Sequence, residues 1–223
     1  YRVLTHDQQA LPENKLALAF AFFKIRRIFK NYDIIHALDG WPYGVIAALA
    51  SLGLKKKLVI TAIGTGAVQP LYHPLKKFLL RWAYRKADAL TAVSRHTKNE
   101  ILKVVPGLEI KVINHGVDFE KFSQPAKDYE EIKSWKPYIL SIGAWKPRKG
   151  FEYSRAAFKK VKSKFPELRY VIVSNAPKEI QAQGEILIDN VPEDFLISLY
   201  KNAELFILLP QDVDKDIEGF GLV

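Results

Sequence analysis

Three cations stand close together at one strand-to-helix transition. Lys146, Arg148 and Lys149 lie in SIGAWKPRKG, residues 141–150, between an apolar run that reads as a strand and one that reads as a helix. Helix N-termini attract anions through unpaired N–H groups and the helix dipole, and cations there are mildly unfavourable for the helix itself. Their placement therefore points to a phosphate-bearing ligand, or else to a turn with ordinary surface lysines. Gly143 allows a tight strand exit and close backbone approach. Neither GxxxxGK[ST] nor GxGxxG occurs in the chain, so this is neither a Walker loop nor a dinucleotide fingerprint.

A second loop, PQDVDKDIEGFG at 210–221, carries Asp212, Asp214, Asp216 and Glu218. The spacing is not that of a calcium loop, so no metal site is expected. Glu218, between a strand end and an expected helix start, can accept hydrogen bonds from ligand hydroxyls. Gly219 and Gly221, on either side of Phe220, let the backbone approach a ligand. The alternative is a first-turn acid favoured by the helix dipole. A third loop, TAIGTG at 61–66, offers Gly64 and Thr65 at a strand exit, as ligand contacts or as a plain turn.

These loops need strands to hold them. Short β-branched runs alternate with helix-like segments, which implies parallel sheets with crossover helices. Strands are expected at 1–5, 33–37, 57–63, 87–93, 109–114, 138–142, 168–174, 185–189 and 204–209. Helices are expected at 16–29, 41–54, 74–86, 151–165 and 192–202, with another from an N-cap at Ser94 to Val104. The stretch from Phe119 to Pro137 is polar and charged. The reading is an α/β protein of two Rossmann-like parallel-sheet domains, 1–122 and 138–223, joined by a crossing at 123–137 that serves as the hinge. Ligands of such sheets bind beyond the carboxyl ends of strands, and for paired domains in the cleft between them.

The composition narrows the field. The 223 residues carry a formal charge of +10, which suits nucleic acid, an acidic membrane surface or a phosphorylated small molecule. The basic residues form no stripe with stacking aromatics, so nucleic acid is not expected. Without Cys there is neither a disulfide framework nor a cysteine-ligated zinc site. The greasiest run, 16–23, is far short of the roughly 20 residues that span a bilayer. No signal peptide is visible, and a cytoplasmic location is the default. High Lys and Ile with no Cys point to a hot environment. Met is absent, so the chain reads as an internal fragment or as one written without its methionines.

Five stretches in order resemble the retaining glycosyltransferases of family 4, which have the GT-B fold. They are YDIIHALDGWPYG (32–44), ADALTAVSRHTKNEIL (87–102), VINHGVDFEKF (112–122), YILSIGAWKPRKGFEYSRAAFKKVKSKFPELRYVIVSNAP (138–177), and ELFILLP (204–210) with EGFGLV (218–223). The resemblance implies transfer of a sugar from a nucleoside-diphosphate sugar to an acceptor hydroxyl of a glycan or lipid-linked molecule, with no cofactor and no bound metal. It assigns Lys149, then Arg148, to the charge forming on the leaving diphosphate, with Lys146 beside them and N–H groups near Gly150. It assigns Glu218 to the donor sugar. Gly143, Gly219, Phe220, Gly221, Gly64 and Thr65 are the remaining expected contacts. The family's second glutamate would fall three residues past Val223, and its first strand with a glycine-rich loop is not evident before Tyr1. A longer protein is therefore expected.

Two positions depart from the family. Arg usually follows the glycine matched by Gly143, and here it is Ala144. His often stands where this chain has Ile63, and Ile can neither donate a hydrogen bond nor bear charge. Two other readings stay open: a non-catalytic sugar-nucleotide-binding or scaffold protein, and a sugar-nucleotide epimerase of the same fold. Helix 74–86, PLKKFLLRWAYRK, has Leu75, Leu79 and Trp82 on one side and Lys77, Arg81 and Arg85 on another. It reads as a peripheral membrane contact suited to a lipid-linked acceptor, or as a crossover helix with a wet basic face.

Overall fold

The computed structural model describes residues 15–221, with side chains from residue 22 onward. The strand expected at 1–5 and the last two residues, Leu222 and Val223, lie outside them. The chain forms two compact units, the first ending at Asn114 and the second beginning at His115.

In the first unit, α1 (Lys15–Phe29) leads into β1 (Ile34–Leu38), α2 (Val45–Ser51), β2 (Lys57–Ala62) and the single-turn helix α3 (Thr65–Val68). Then follow α4 (Lys76–Lys86), β3 (Ala89–Ala92), α5 (Arg95–Val104) and β4 (Lys111–Val112). The four strands are parallel and lie in chain order, β1-β2-β3-β4. Small alanines of α2, among them Ala47, Ala48 and Ala50, are buried, as are Leu58 and Ile60 of β2, the strand that α2 touches. The Arg26 guanidinium donates to the carbonyls of Ala50 (2.8 Å) and Leu52 (2.7 Å), which satisfies the C-terminus of α2. Ser94 is the N-cap of α5, as expected, and its hydroxyl accepts the Thr97 N–H at 3.0 Å.

The second unit contains α6 (Phe119–Ser123), α7 (Glu130–Ser134), β5 (Tyr138–Ile142), α8 (Phe151–Lys162), β6 (Arg169–Val173), β7 (Glu185–Ile188), α9 (Glu193–Asn202) and β8 (Leu205–Phe206). Its strands are also parallel, but their order is β7-β6-β5-β8. Both faces of this sheet are covered. Tyr138, Leu140 and Val171 pack with Leu199 of α9 and with Ile132 and Trp135. Tyr170 and Ile172 pack with Phe151 and Phe158 of α8. The segment read as a crossing thus places part of its length, around α7, in the core of this unit.

Several element boundaries differ from expectation. The helix expected at 41–54 begins only at Val45, because Pro42 holds Trp41 extended (φ −119°, ψ 133°) and a wide turn, Gly40–Gly44, comes first. The strand expected at 109–114 is paired only at Lys111–Val112. That at 204–209 is paired at Leu205–Phe206, although the Ile207 N–H still reaches Leu140 O at 2.9 Å. No helix has started by Gly221, so Glu218 lies in an extended loop.

Candidate functional site

The order of the second sheet explains where its candidate site lies. The chain leaves β5 toward β6 on one side and returns to β8 on the other. The loops after β5 and β8 therefore diverge from neighbouring strand ends, the crevice where open α/β sheets bind ligands.

Backbone contacts lock these two loops together. Gly143 leaves β5 at φ +151°, and its N–H donates to Val173 O at 3.0 Å. Trp145 stacks on Phe151 with centroids 4.8 Å apart, and its N–H donates to Asn175 Oδ1 at 2.7 Å. A 3₁₀ turn, Pro147–Lys149, ends at Gly150, which is left-handed at φ 67°, ψ 27°. A Cβ at Gly150 would lie 1.8 Å from Leu209 O, so only glycine admits the second loop at this distance. The Gln211 N–H then donates to Arg148 O at 2.9 Å.

The side chains converge on one carboxylate. Lys149 is only 9% exposed, and its Nζ lies 2.9 Å from Glu218 Oε2. Arg148 Nη1 bonds to the same oxygen. Arg148 Nε lies 3.1 Å from Asp216 Oδ1, close enough for an ion pair but without a hydrogen-bonding angle. Arg148 Nε and Ser174 Oγ, near the carboxyl ends of β5 and β6, are the buried side-chain polar atoms without a hydrogen bond among the described residues. Asp216 is presented by a tight reversal in which Val213 and Asp216 exchange backbone hydrogen bonds. The two residues between them, Asp214 (φ 49°) and Lys215 (φ 64°), are left-handed without being glycine, a conformation that costs about 1–2 kcal/mol per residue.

The predicted site residues divide accordingly. Gly143, Arg148, Lys149, Gly150 and Glu218 come together. Lys146 and Ala144 are exposed. Phe220 packs edge-on against His115, with centroids 5.8 Å apart. A Cβ at Gly221 would lie 3.4 Å from the Leu208 side chain. Gly64 and Thr65 belong to the first unit, where Gly64 caps α3. The sequence reading gave Asp216 no link to Arg148, and nothing in the spacing of the two residues announces one.

The first unit has a strand-end cluster that the sequence reading missed. Asp39, after β1, has φ 88° and ψ 157°, a region almost reserved for glycine. Its Oδ1 accepts the Gly40 N–H at 2.8 Å and faces the Ile63 N–H at 3.5 Å. A Cβ at Gly66 would lie 2.2 Å from its Oδ2. Burial raises the Asp39 pKa above the ordinary carboxylate value, against the lowering effect of those two N–H groups. The Asp-Gly pair at a strand end is the one local signal that could have marked it.

The sequence pattern of Glycosyltransferase Family 4 matches residues 3–121, and that of Glycosyl transferases group 1 matches 123–223. The chain belongs to the family 4, group 1 glycosyltransferases. Its fold is GT-B, with two Rossmann-like domains. N-acetyl-alpha-D-glucosaminyl L-malate synthase of Bacillus anthracis is 26% identical over 95% of this chain and 58% of its own length. The structure of Anabaena Alr3699/HepE in complex with UDP and glucose has a TM-score of 0.64 at 16% identity, covering 92% of this chain and 59% of that one. A Listeria monocytogenes protein described as a UDP-N-acetylglucosamine 2-epimerase reaches a TM-score of 0.60 at 14% identity, covering 89% and 59%. The chain thus spans less than two thirds of the length of these relatives. Likeness of fold therefore does not by itself separate transfer from epimerisation. Among the described residues no helix is long and apolar enough to cross a membrane.

Proposed function

We propose that the protein transfers a sugar from a nucleoside-diphosphate sugar to an acceptor hydroxyl, with retained configuration and without a bound metal. The observation that carries this reading is the convergence of buried Lys149 and half-buried Arg148 on Glu218 at the strand-order reversal of the second sheet. A leaving diphosphate gains charge as its bond to the anomeric carbon breaks, and preorganised cations in a partly dry site stabilise that charge. Lys149 and Arg148 take this role, with the backbone around Gly143 and Gly150 close by. Arg148 offsets the cation missing at Ala144, because its guanidinium reaches the same carboxylate oxygen as Lys149. Glu218 turns to the donor sugar, where its oxygens accept hydroxyl protons.

The second unit is the donor side and the first the acceptor side. Gly64 and Thr65 are kept as ligand contacts because of their place at a strand end. Lys146 remains an expected donor contact from the same loop, as do Gly219, Phe220 and Gly221. The Anabaena relative's complex with UDP and glucose supports a nucleotide-sugar donor. The acceptor is a glycan or a lipid-linked molecule, reached from the cytoplasm. A non-catalytic sugar-nucleotide binder is the second reading, favoured by Ile63 where the family often has His.

The test is release of nucleoside diphosphate by the full-length protein from a panel of nucleoside-diphosphate sugars, with EDTA present. Release from one donor establishes transfer chemistry and names that donor. Binding without release, even with mixed glycan and lipid acceptors, moves the reading to the non-catalytic binder.

A further inference from the structure

Helix α4 has two apolar faces, and the fold uses one. Leu80, Ala83 and Tyr84 are buried in the first unit, and the Tyr84 hydroxyl donates to Ala67 O at 2.8 Å. Leu75, Phe78 and Leu79 form a second stripe, whose centre lies roughly 140° round the helix from that of the first at about 100° per residue. They are 75%, 62% and 44% exposed, and Tyr72 in the turn before the helix is 42% exposed. The sequence reading took Leu75, Leu79 and Trp82 as one apolar side, and the structure leaves that side facing solvent, apart from half-buried Trp82.

Scattered exposed apolar residues are ordinary, but a contiguous stripe on one helix marks a contact surface. The charges beside it say which kind. Helix α4 contains five cations and no acid in eleven residues, KKFLLRWAYRK. Lys77, Arg81 and Arg85 recur at four-residue spacing along one flank of the stripe. The Lys77 ammonium lies 5.0 Å from the Phe78 ring centre, so charge and apolar surface are adjacent. A surface that is apolar along one line and cationic beside it matches a bilayer with anionic headgroups. The side chains enter the acyl boundary while the ammonium and guanidinium groups stay at phosphate level. A protein partner or a second copy would need an acidic rim around its own apolar patch. Helix α4 supplies no such rim, which disfavours the self-pairing of two α4 stripes.

We infer that the turn at Tyr72 and the outer stripe of α4 dock the first unit on an anionic membrane surface. The inference does not depend on the transfer chemistry, because vesicle binding needs no donor and no turnover.

The experiment is co-sedimentation of the full-length protein with vesicles of phosphatidylcholine alone and of phosphatidylcholine with phosphatidylglycerol. Binding is expected only with the anionic lipid and should weaken as salt is raised. Charge reversal at Lys77, Arg81 and Arg85 should lower the partition about a hundredfold or more. The triple variant Leu75→Gln, Phe78→Gln and Leu79→Gln should lower it about tenfold or more, with an unchanged circular dichroism spectrum because these side chains are exposed. Absence of binding by the folded protein at low salt would overturn the proposal. So would full binding by the glutamine variant, or a concentration-dependent dimer abolished by that variant with no vesicle binding.

Discussion

The two units place polar groups at the carboxyl ends of parallel strands, yet among the described residues only the second gathers opposite charges there. In the first unit, Asp39 is held by backbone N–H groups of Gly40 and Ile63 and lies against Gly66. In the second, Arg148 and Lys149 hold Glu218, with Asp216 behind Arg148. The difference follows from strand order. The described strands of the first sheet lie in chain order, whereas the second sheet reverses at β5 and leaves a crevice between its diverging loops. A carboxylate fixed by amides is a structural anchor that can also face a ligand. A carboxylate shared by two cations is a charge store, in which an incoming diphosphate competes for the cations.

The largest effect should come from breaking the charged cluster. Lys149→Ala in the full-length protein is expected to reduce donor turnover about 10²–10³-fold, the usual cost of removing one preorganised group that stabilises developing charge. Asp39→Asn should leave nucleoside-diphosphate binding unchanged, because nothing in its cluster pairs with phosphate. Near-normal release by Lys149→Ala would remove the assignment of that lysine.

Glycine substitutions sharpen the same contrast through stability. Gly150→Ala meets a backbone carbonyl at 1.8 Å and also a left-handed φ. It should cost roughly 3 kcal/mol or more, since neither loop can move without the other. Gly66→Ala first meets the end of the Asp39 side chain, at 2.2 Å, with Trp41 O at 2.8 Å. Part of that clash can be relieved by rotation, so about 1–3 kcal/mol is expected. Urea unfolding of the two variants would rank them, and a milder Gly150→Ala would show that the loops are not locked as described.

Glu218→Gln tests what the shared carboxylate does. It should weaken sugar-nucleotide binding about tenfold, the scale of a lost charge-assisted hydrogen bond. Nucleoside diphosphate alone should bind at least as well as to the native protein, because the neutral amide no longer competes for Arg148 and Lys149. Titration calorimetry with both ligands separates the two effects. Unchanged sugar-nucleotide affinity together with an unchanged rate would sink the assignment of Glu218.

Much of this was readable from local chemistry. The span of β5, the N-cap at Ser94 and the cations of the β5 loop all follow from short-range patterns, which act within a few residues. What was not readable depends on distant parts of the chain. Residues 149 and 218 meet because β8 returns beside β5, and spacing along the chain carries no record of that adjacency. The helix expected at 41–54 read well as a pattern, but Pro42 imposed an extended residue at its start. In α4 the periodicity was legible and the buried face was not. Apolar residues occupy most of its circumference, and only its packing against α2 and the turns at Gly40–Gly44 and Gln69–Tyr72 decides that Leu80, Ala83 and Tyr84 go inside.

The smallest effect compares one exposed carboxylate from each unit. In the first, Asp88 binds the Lys57 ammonium at 2.8 Å and the Leu58 N–H at 2.9 Å, and these contacts lower its pKa. In the second, Asp194 binds Lys127 at 2.7 Å, and that bond with Tyr129 and the Phe195 N–H brings its pKa from 3.8 to about 2. A carboxylate with a depressed folded-state pKa contributes stability that is present above its unfolded value and lost as pH falls through the folded one. For Asp194 the loss should therefore run from near pH 3.8 down to about 2. Both groups are exposed, so each contribution is small and weakened by salt. The expected result is a drop in melting temperature on acidification that is shallower in Asp194→Asn than in the native chain. Asp88→Asn should be shallower only for a probe in the first unit. If Asp194→Asn follows the native curve through this range, the ion pair between Lys127 and α9 does not help to hold the start of the second unit in place.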